Sequence, residues 1–159
     1  MRVRLEKIIS GGQTGADQGG LDGAIACDVP HGGTIPAGRK TEAGMLPLSY
    51  TMHEIDSDRY SDRTERNVID GDGTLILSHG PLTGGSALTQ KVALQRAKPC
   101  LHIDFSRVEM HQACQRTAAW IENSGIKVLN VAGPRASSDP TIYEMTRELI
   151  ILLLGGDVE

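Results

Sequence analysis

The sequence predicts a doubly wound α/β domain, a mainly parallel sheet of about five strands flanked by helices. Three observations carry that expectation. Short apolar runs recur along the chain, each followed by glycine and then by a segment with helical spacing. The clearest run, Gly73–Ser78, is apolar at consecutive positions, which suits a strand buried on both faces. At 159 residues the chain fits one domain, taken as 1–159, with no separate ligand-binding domain.

Each element has a local reason. Ile8 and Ile9 end a first strand, and Leu21, Ala24 and Ile25 form one stripe of a helix from Thr14 to about Asp28. From His31 to Ser57 the chain reads as loop, punctuated by Gly32, Gly33, Pro36, Gly38, Gly44 and Pro47, with one short strand near Gly33–Ile35. Ser61 is placed to cap a helix that Gly71 ends. After the strand Gly73–Ser78 come a loop to Gly85, a helix from Ser86 to Ala97 and a strand Cys100–Asp104. A helix from Met110 to Asn123 and a strand Lys127–Val131 follow. Asp139 as N-cap and Pro140 at the first helical position open a last helix, striped by Ile142, Met145, Leu149, Ile150 and Leu153. The alternation is Rossmann-like.

Composition excludes several functions. The formal charge of −4 argues against binding nucleic acid by counterion release, and five aromatic residues are too few for a base-stacking platform. The longest apolar run, Leu149–Leu154, falls far short of the roughly 20 residues that cross a bilayer, and the N-terminus lacks a signal-peptide core. Cys27, Cys100 and Cys114 show no CxxC spacing, so neither a disulfide framework nor a thiolate metal site is expected. The expectation is a cytoplasmic protein with no nucleic-acid or membrane partner.

Ligands of open α/β sheets bind beyond the carboxyl ends of the strands, where helix N-termini present unpaired N–H groups. Three segments fit that place: Gly11-Gly12-Gln13-Thr14-Gly15, Gly80–Ser86 with Thr83, Gly84, Gly85 and Ser86, and Ala132–Arg135. Glycine lets the main chain approach a ligand closely, and successive N–H groups favour a phosphate or an oxyanion. GxxxxGK[ST] is absent, and one such loop alone reads equally as a tight turn. Arg39, Lys40, Arg63 and Arg135 are the cations near this rim, Arg63 reading equally as a surface residue. Arg59 and Arg66 read better as a solvated helix face. Asp17 suits either a helix start or a contact to a ligand hydroxyl. Asp70-Gly71-Asp72-Gly73 is a helix exit rather than a calcium loop. His102 reads as a packed strand residue, His79 closes a strand at the rim, and no serine has an evident base.

Ile9–Gly19, Pro30–Gly33, Arg63–Val68, Asp72–Ile76 and Gly80–Thr89 together resemble the molybdenum carrier family, which includes molybdenum cofactor carrier proteins. The resemblance runs from about residue 7 to the last helix. It implies a Rossmann-like fold of the SLOG superfamily, related to the Lonely-guy phosphoribohydrolases, and a dimeric or tetrameric homo-oligomer. It implies a non-catalytic carrier of the molybdenum cofactor (a phosphate-bearing pterin whose dithiolene holds molybdenum) or of a molybdate or tungstate oxyanion, with a molybdoenzyme as acceptor. The loops at Gly11–Gly15 and Gly84–Ser86 would hold the anionic parts. One departure bears on chemistry: Gln90 stands where the related phosphoribohydrolases carry the glutamate of PGGxGTxxE. A glutamine is no general base, which counts against N-glycosidic hydrolysis. A nucleoside monophosphate hydrolase and a nucleotide sensor are the alternatives.

Overall fold

The computed structural model describes residues 2–158. Five parallel strands form the central sheet: β1 (Lys7–Ile9), β2 (His31–Gly32), β7 (Gly73–Ser78), β8 (Cys100–Asp104) and β9 (Val128–Ala132), in the order β2-β1-β9-β7-β8. The register sets Ile8 beside His31 and Leu129, and Leu75 beside Val131 and Leu101. Read with β9 placed first in the chain, this order becomes the Rossmann order 3-2-1-4-5. The point where strand order reverses therefore lies between β9 and β7.

The helices are α1 (Ala16–Ala26), α2 (Tyr60–Asp70), α3 (Gly84–Gln95), α4 (Met110–Ser124) and α5 (Ile142–Leu153). The connections β1–β2 and β8–β9 step one way across the sheet, and β2–β7 and β7–β8 the other. Right-handed crossovers then put α1 and α4 on one face and α2 and α3 on the opposite one. Packing agrees: α5 joins α1 and α4, while α2 lies against α3. The larger core, with Ile8, Leu75, Leu77, Leu129, Val131, Leu149 and Ile150, lies under α1, α4 and α5. Val68, Val92 and Ala93 form a smaller core with Leu88 and Cys100 under α2 and α3. Among the described residues no helix is long and apolar enough to cross a membrane.

Several boundaries differ from the sequence expectation. The edge strand β2 falls on two residues read as loop. The strand expected near Gly33–Ile35 is β3 (Thr34–Ile35), and it pairs with β6 (His53–Glu54) instead of joining the central sheet. Asn67 clips β3 to α2, its Oδ1 accepting from the Thr34 N–H (2.8 Å) and its Nδ2 donating to the Thr34 carbonyl (2.9 Å). The first turn of α2 is tied by Ser57, not Ser61: the Ser57 hydroxyl accepts from the Arg59 N–H and donates to Asp62. Helix α5 begins at Ile142, two residues beyond Pro140, because Asp139 caps the preceding turn through Thr141.

The antiparallel pair β4 (Lys40–Thr41) and β5 (Gly44–Met45) completes the outlying layer 34–54. Arg39, at φ 56° and 8% exposed, turns inward and holds this layer. Its guanidinium donates to the carbonyls of Leu46 (3.1 Å), Pro47 (2.8 Å) and Tyr50 (2.7 Å). Arg39→Met strands three carbonyls and is expected to cost about 2–3 kcal/mol, read as a lower denaturant midpoint at unchanged slope.

Asp104, at the end of β8, holds the turn after β7. Its carboxylate accepts from the Ser106 hydroxyl, from the Gly80 N–H (2.7 Å) and from the Ser106 N–H (2.9 Å), which keeps its pKa down at about 2. A depressed carboxylate stabilises above its ordinary value of 3.8 and loses that contribution as pH falls toward 2. Gly80 amide exchange is therefore expected to accelerate between about pH 4 and pH 2, and Asp104→Asn to abolish that step.

Candidate functional site

A cleft of about 570 Å³ opens above the carboxyl ends of β1, β7 and β9, at the reversal of strand order. Its walls are the first glycine loop, the β7–α3 loop, the β9–α5 loop and one side of α2. Of the residues singled out from sequence, Gly11, Gln13, Asp17, Arg63, His79, Thr83, Gly84, Gly85, Ser86 and Arg135 line it.

Arg63 crosses the floor. Its Nη1 pairs with Asp17 Oδ2 at 2.8 Å, the two side chains being 11% and 6% exposed. A Cβ on Gly11 would lie 1.7 Å from Arg63 Nη1, so glycine here leaves room for the guanidinium. Burial pushes the Asp17 carboxyl up, and the Arg63 charge and the Gln13 N–H (3.2 Å) pull it back without reversing the direction. The aspartate thus serves as both helix-start acceptor and anchor of the arginine.

The two glycine loops differ in what they leave free. In the first, the three central N–H groups are taken up inside the loop: Gly12 donates to Ser10 Oγ, Gln13 to Asp17 and Thr14 to Gln13 Oε1. In the second, the N–H groups of Gly84 and Gly85 have no acceptor among the described residues and stand at the start of α3. The helix dipole adds to their pull on an anion.

Gln13 supplies a further unmet donor. Its Oε1 accepts from the Thr14 N–H (3.1 Å) and the Glu42 N–H (2.9 Å), which fixes the amide orientation. Its Nε2 is left buried without a partner, in a residue only 5% exposed. Such a donor costs about 1–3 kcal/mol unless an acceptor arrives.

Other singled-out residues lie beside the cleft. A Cβ on Gly12 would face Ile35 and Leu46, away from it. Thr14 accepts from the Ala136 N–H (3.1 Å) and donates to Glu42, which is also bound by Ser137. Gly15 presses against the β9–α5 loop, and Arg39 is turned inward as described. Lys40 donates to the Asp58 carbonyl (3.2 Å), with its ammonium 4.7 Å from the Tyr60 ring centre.

That ring gathers three cations, a feature with no local sequence signal. Arg63 and Arg135 stand 5.4 and 5.3 Å from its centre beside Lys40. Only Arg63 has a carboxylate at ion-pair distance; Lys40 and Arg135 have none among the described residues. A ring has two faces, so at least two of the three share one, and their repulsion favours a bound anion. Arg59 and Arg66 instead pair with Asp62 and Asp70 at the surface.

At the rim, His79 Nδ1 is 2.7 Å from Asp139 Oδ2. His102, half-buried in β8, meets the Ser78 hydroxyl at 2.6 Å. Gln90 lies outside the lining of the cleft, whereas its neighbour Thr89 is part of it.

The model of the circularly permutated YpsA SLOG family matches residues 8–154. The crystal structure of "putative molybdenum carrier protein" from Syntrophus aciditrophicus SB is 50% identical, with a TM-score of 0.93 over 96% of this chain and 98% of that one. The structure of (E)-4-hydroxy-3-methyl-but-2-enyl diphosphate reductase aligns at 12% identity over 94% of this chain and 60% of its own, with a TM-score of 0.39. No curated protein matches.

Proposed function

The chain belongs to the circularly permutated YpsA SLOG family, and from that membership we propose that it is a non-catalytic carrier of the molybdenum cofactor. The observation that carries this reading is a cleft with unmet donors and an unneutralised cation, Gly84 and Gly85 N–H, Gln13 Nε2 and Arg135, with Lys40 beside it over the Tyr60 ring. They fit a ligand with a phosphate at one end and acceptor atoms along its body. The 50% identical protein from Syntrophus aciditrophicus SB, named for molybdenum carriage, supports molybdenum as the cargo.

In this reading the α3 amides and Arg135 take the phosphate, Gln13 Nε2 donates to an acceptor of the pterin, and Asp17 holds Arg63 flat beneath the ligand. Thr83 and Ser86 close the side toward α3. Bare molybdate or tungstate would occupy the same cations. The cofactor's dithiolene keeps its molybdenum throughout, since a carrier needs shelter from water rather than a reaction. A molybdoenzyme is the acceptor. In this reading the protein works as a cytoplasmic homo-oligomer.

The test is retention of freshly released molybdenum cofactor through gel filtration, read by pterin fluorescence after oxidation. Near-stoichiometric pterin with the wild type and at least about tenfold less with Arg135→Ala is expected, on the scale of a charge-assisted contact worth about 1.5–3 kcal/mol. Gly12→Val is a poor control, since its side chain would enter the apolar layer of Ile35 and Leu46. No retained pterin, together with saturable binding of a nucleoside monophosphate, overturns the carrier reading.

A further inference from the structure

The Asp139–His79 pair lines the same cleft and has no part in holding an anion. We propose that His79 is the protein's own donor to a metal that arrives already chelated. The cleft then takes an anionic transition-metal chelate with one open coordination position. This deepens the carrier reading and rests on it.

The imidazole is oriented from two sides. Asp139 Oδ2 accepts from Nδ1 at 2.7 Å, so Nδ1 carries the hydrogen and the lone pair of the neutral ring sits on Nε2. Asp139 is itself held by the Thr141 N–H and hydroxyl, both at 3.3 Å. The ring lies against Phe105 with centres 5.8 Å apart and planes at 46°. Nε2 has no partner among the described residues, and the side chain remains 32% exposed. A carboxylate on one ring nitrogen and a free lone pair on the other is the arrangement that positions metal-ligating histidines.

The rest of the ligand set is missing, and that decides what kind of metal can bind. Among the described residues no group of three or more His, Cys, Asp or Glu side chains converges. Asp17 is engaged by Arg63, and Asp139 by His79. One imidazole is a weak trap for a free ion, but it suffices as an extra bond to a metal whose other ligands belong to a molecule already held by Arg135 and the α3 amides. The other histidines do not compete. His31 Nε2 accepts from the Thr51 N–H (3.1 Å), His102 Nε2 faces Ser78 (2.6 Å), and His53 and His111 lie outside the cleft lining.

Copper(II) pyrophosphate is the probe, with metal-free pyrophosphate and aqueous copper(II) as references. Pulsed EPR of the full chain with the probe is expected to show the remote-nitrogen modulation of a bound imidazole. His79→Ala should abolish it, and His111→Ala should leave it intact. Asp139→Asn should weaken probe affinity by about tenfold, the scale of losing the carboxylate that orients a ligating imidazole, while calorimetry with metal-free pyrophosphate stays unchanged in both His79→Ala and Asp139→Asn. Pyrophosphate binding without imidazole modulation, or modulation that survives in His79→Ala, overturns the assignment to His79 and leaves the anion site standing. Failure of metal-free pyrophosphate to bind the wild type overturns both readings.

Discussion

Asp17→Ala is expected to destabilise the fold by about 3–5 kcal/mol, the cost of leaving a buried charge without its partner. The Arg63 side chain is 11% exposed and lies across Gly11, and Lys40 and Arg135 stand beside the same Tyr60 ring as Arg63. Removing the one carboxylate beside it leaves three positive groups around one aromatic ring, and the Gln13 N–H of the first glycine loop loses its acceptor. Urea unfolding reads the loss. The double variant Asp17→Ala/Arg63→Met removes both charges and is expected to recover most of it, since an apolar pair of similar volume often does as well as a buried ion pair. Equal destabilisation in the single and double variants would show that Arg63 contributes packing alone. The double variant should remain unable to retain pterin, which separates the structural and binding roles of the pair.

Gly15→Ala is expected to cost about 3 kcal/mol by combining strain and overlap. Gly15 sits at φ 83°, and a Cβ there would lie 2.4 Å from the Pro134 carbonyl oxygen and 2.8 Å from the Ala136 nitrogen. Both are backbone atoms, so no side-chain rotation relieves the contact. The Ala16 N–H donates to that same Pro134 carbonyl at 3.2 Å, and this bond fastens the start of α1 to the β9–α5 loop. Hydrogen exchange at Ala16, measured beside global unfolding, should rise more than exchange in β7. A substitution tolerated with wild-type stability would mean that the two loops do not need their observed approach.

The elements that sequence patterning locates well are those whose reason is local. Cys100–Asp104 is predicted and observed over the same residues, because a run of apolar character between a helix end and a turn leaves little choice. The helices α1, α3 and α4 fall within two residues of expectation at each end. What escapes is what depends on a distant partner. Strand β2 is two residues long, His31 and Gly32, and exists because β1 offers it a ladder. Arg39 and Lys40 are equivalent cations on paper; a left-handed φ at Arg39 turns one inward to three carbonyls and leaves the other over Tyr60. Gly11 and Gly12 are equivalent in the same sense, yet one makes room for Arg63 and the other faces Ile35. The convergence on Tyr60 joins residues from three segments, Lys40, Arg63 and Arg135, and no spacing announces it.

The position of β9 at the centre of the sheet has a kinetic consequence. Strands β1 and β2 form one pair and β7 and β8 another, and no ladder joins the two pairs until β9 slots between them. During synthesis each pair would wait with an open inner edge of unsatisfied amides while α4 is still being made. Closing the sheet brings Leu129 between Ile8 and Gly73 across more than fifty residues on either side, a non-local step of the kind that slows folding. Until that step the cleft does not exist, since two of its walls meet only through this strand. Assembly of the sheet and creation of the cleft are therefore one event, and a nascent chain stalled before β9 exposes its two inner edges to aggregation or to a chaperone.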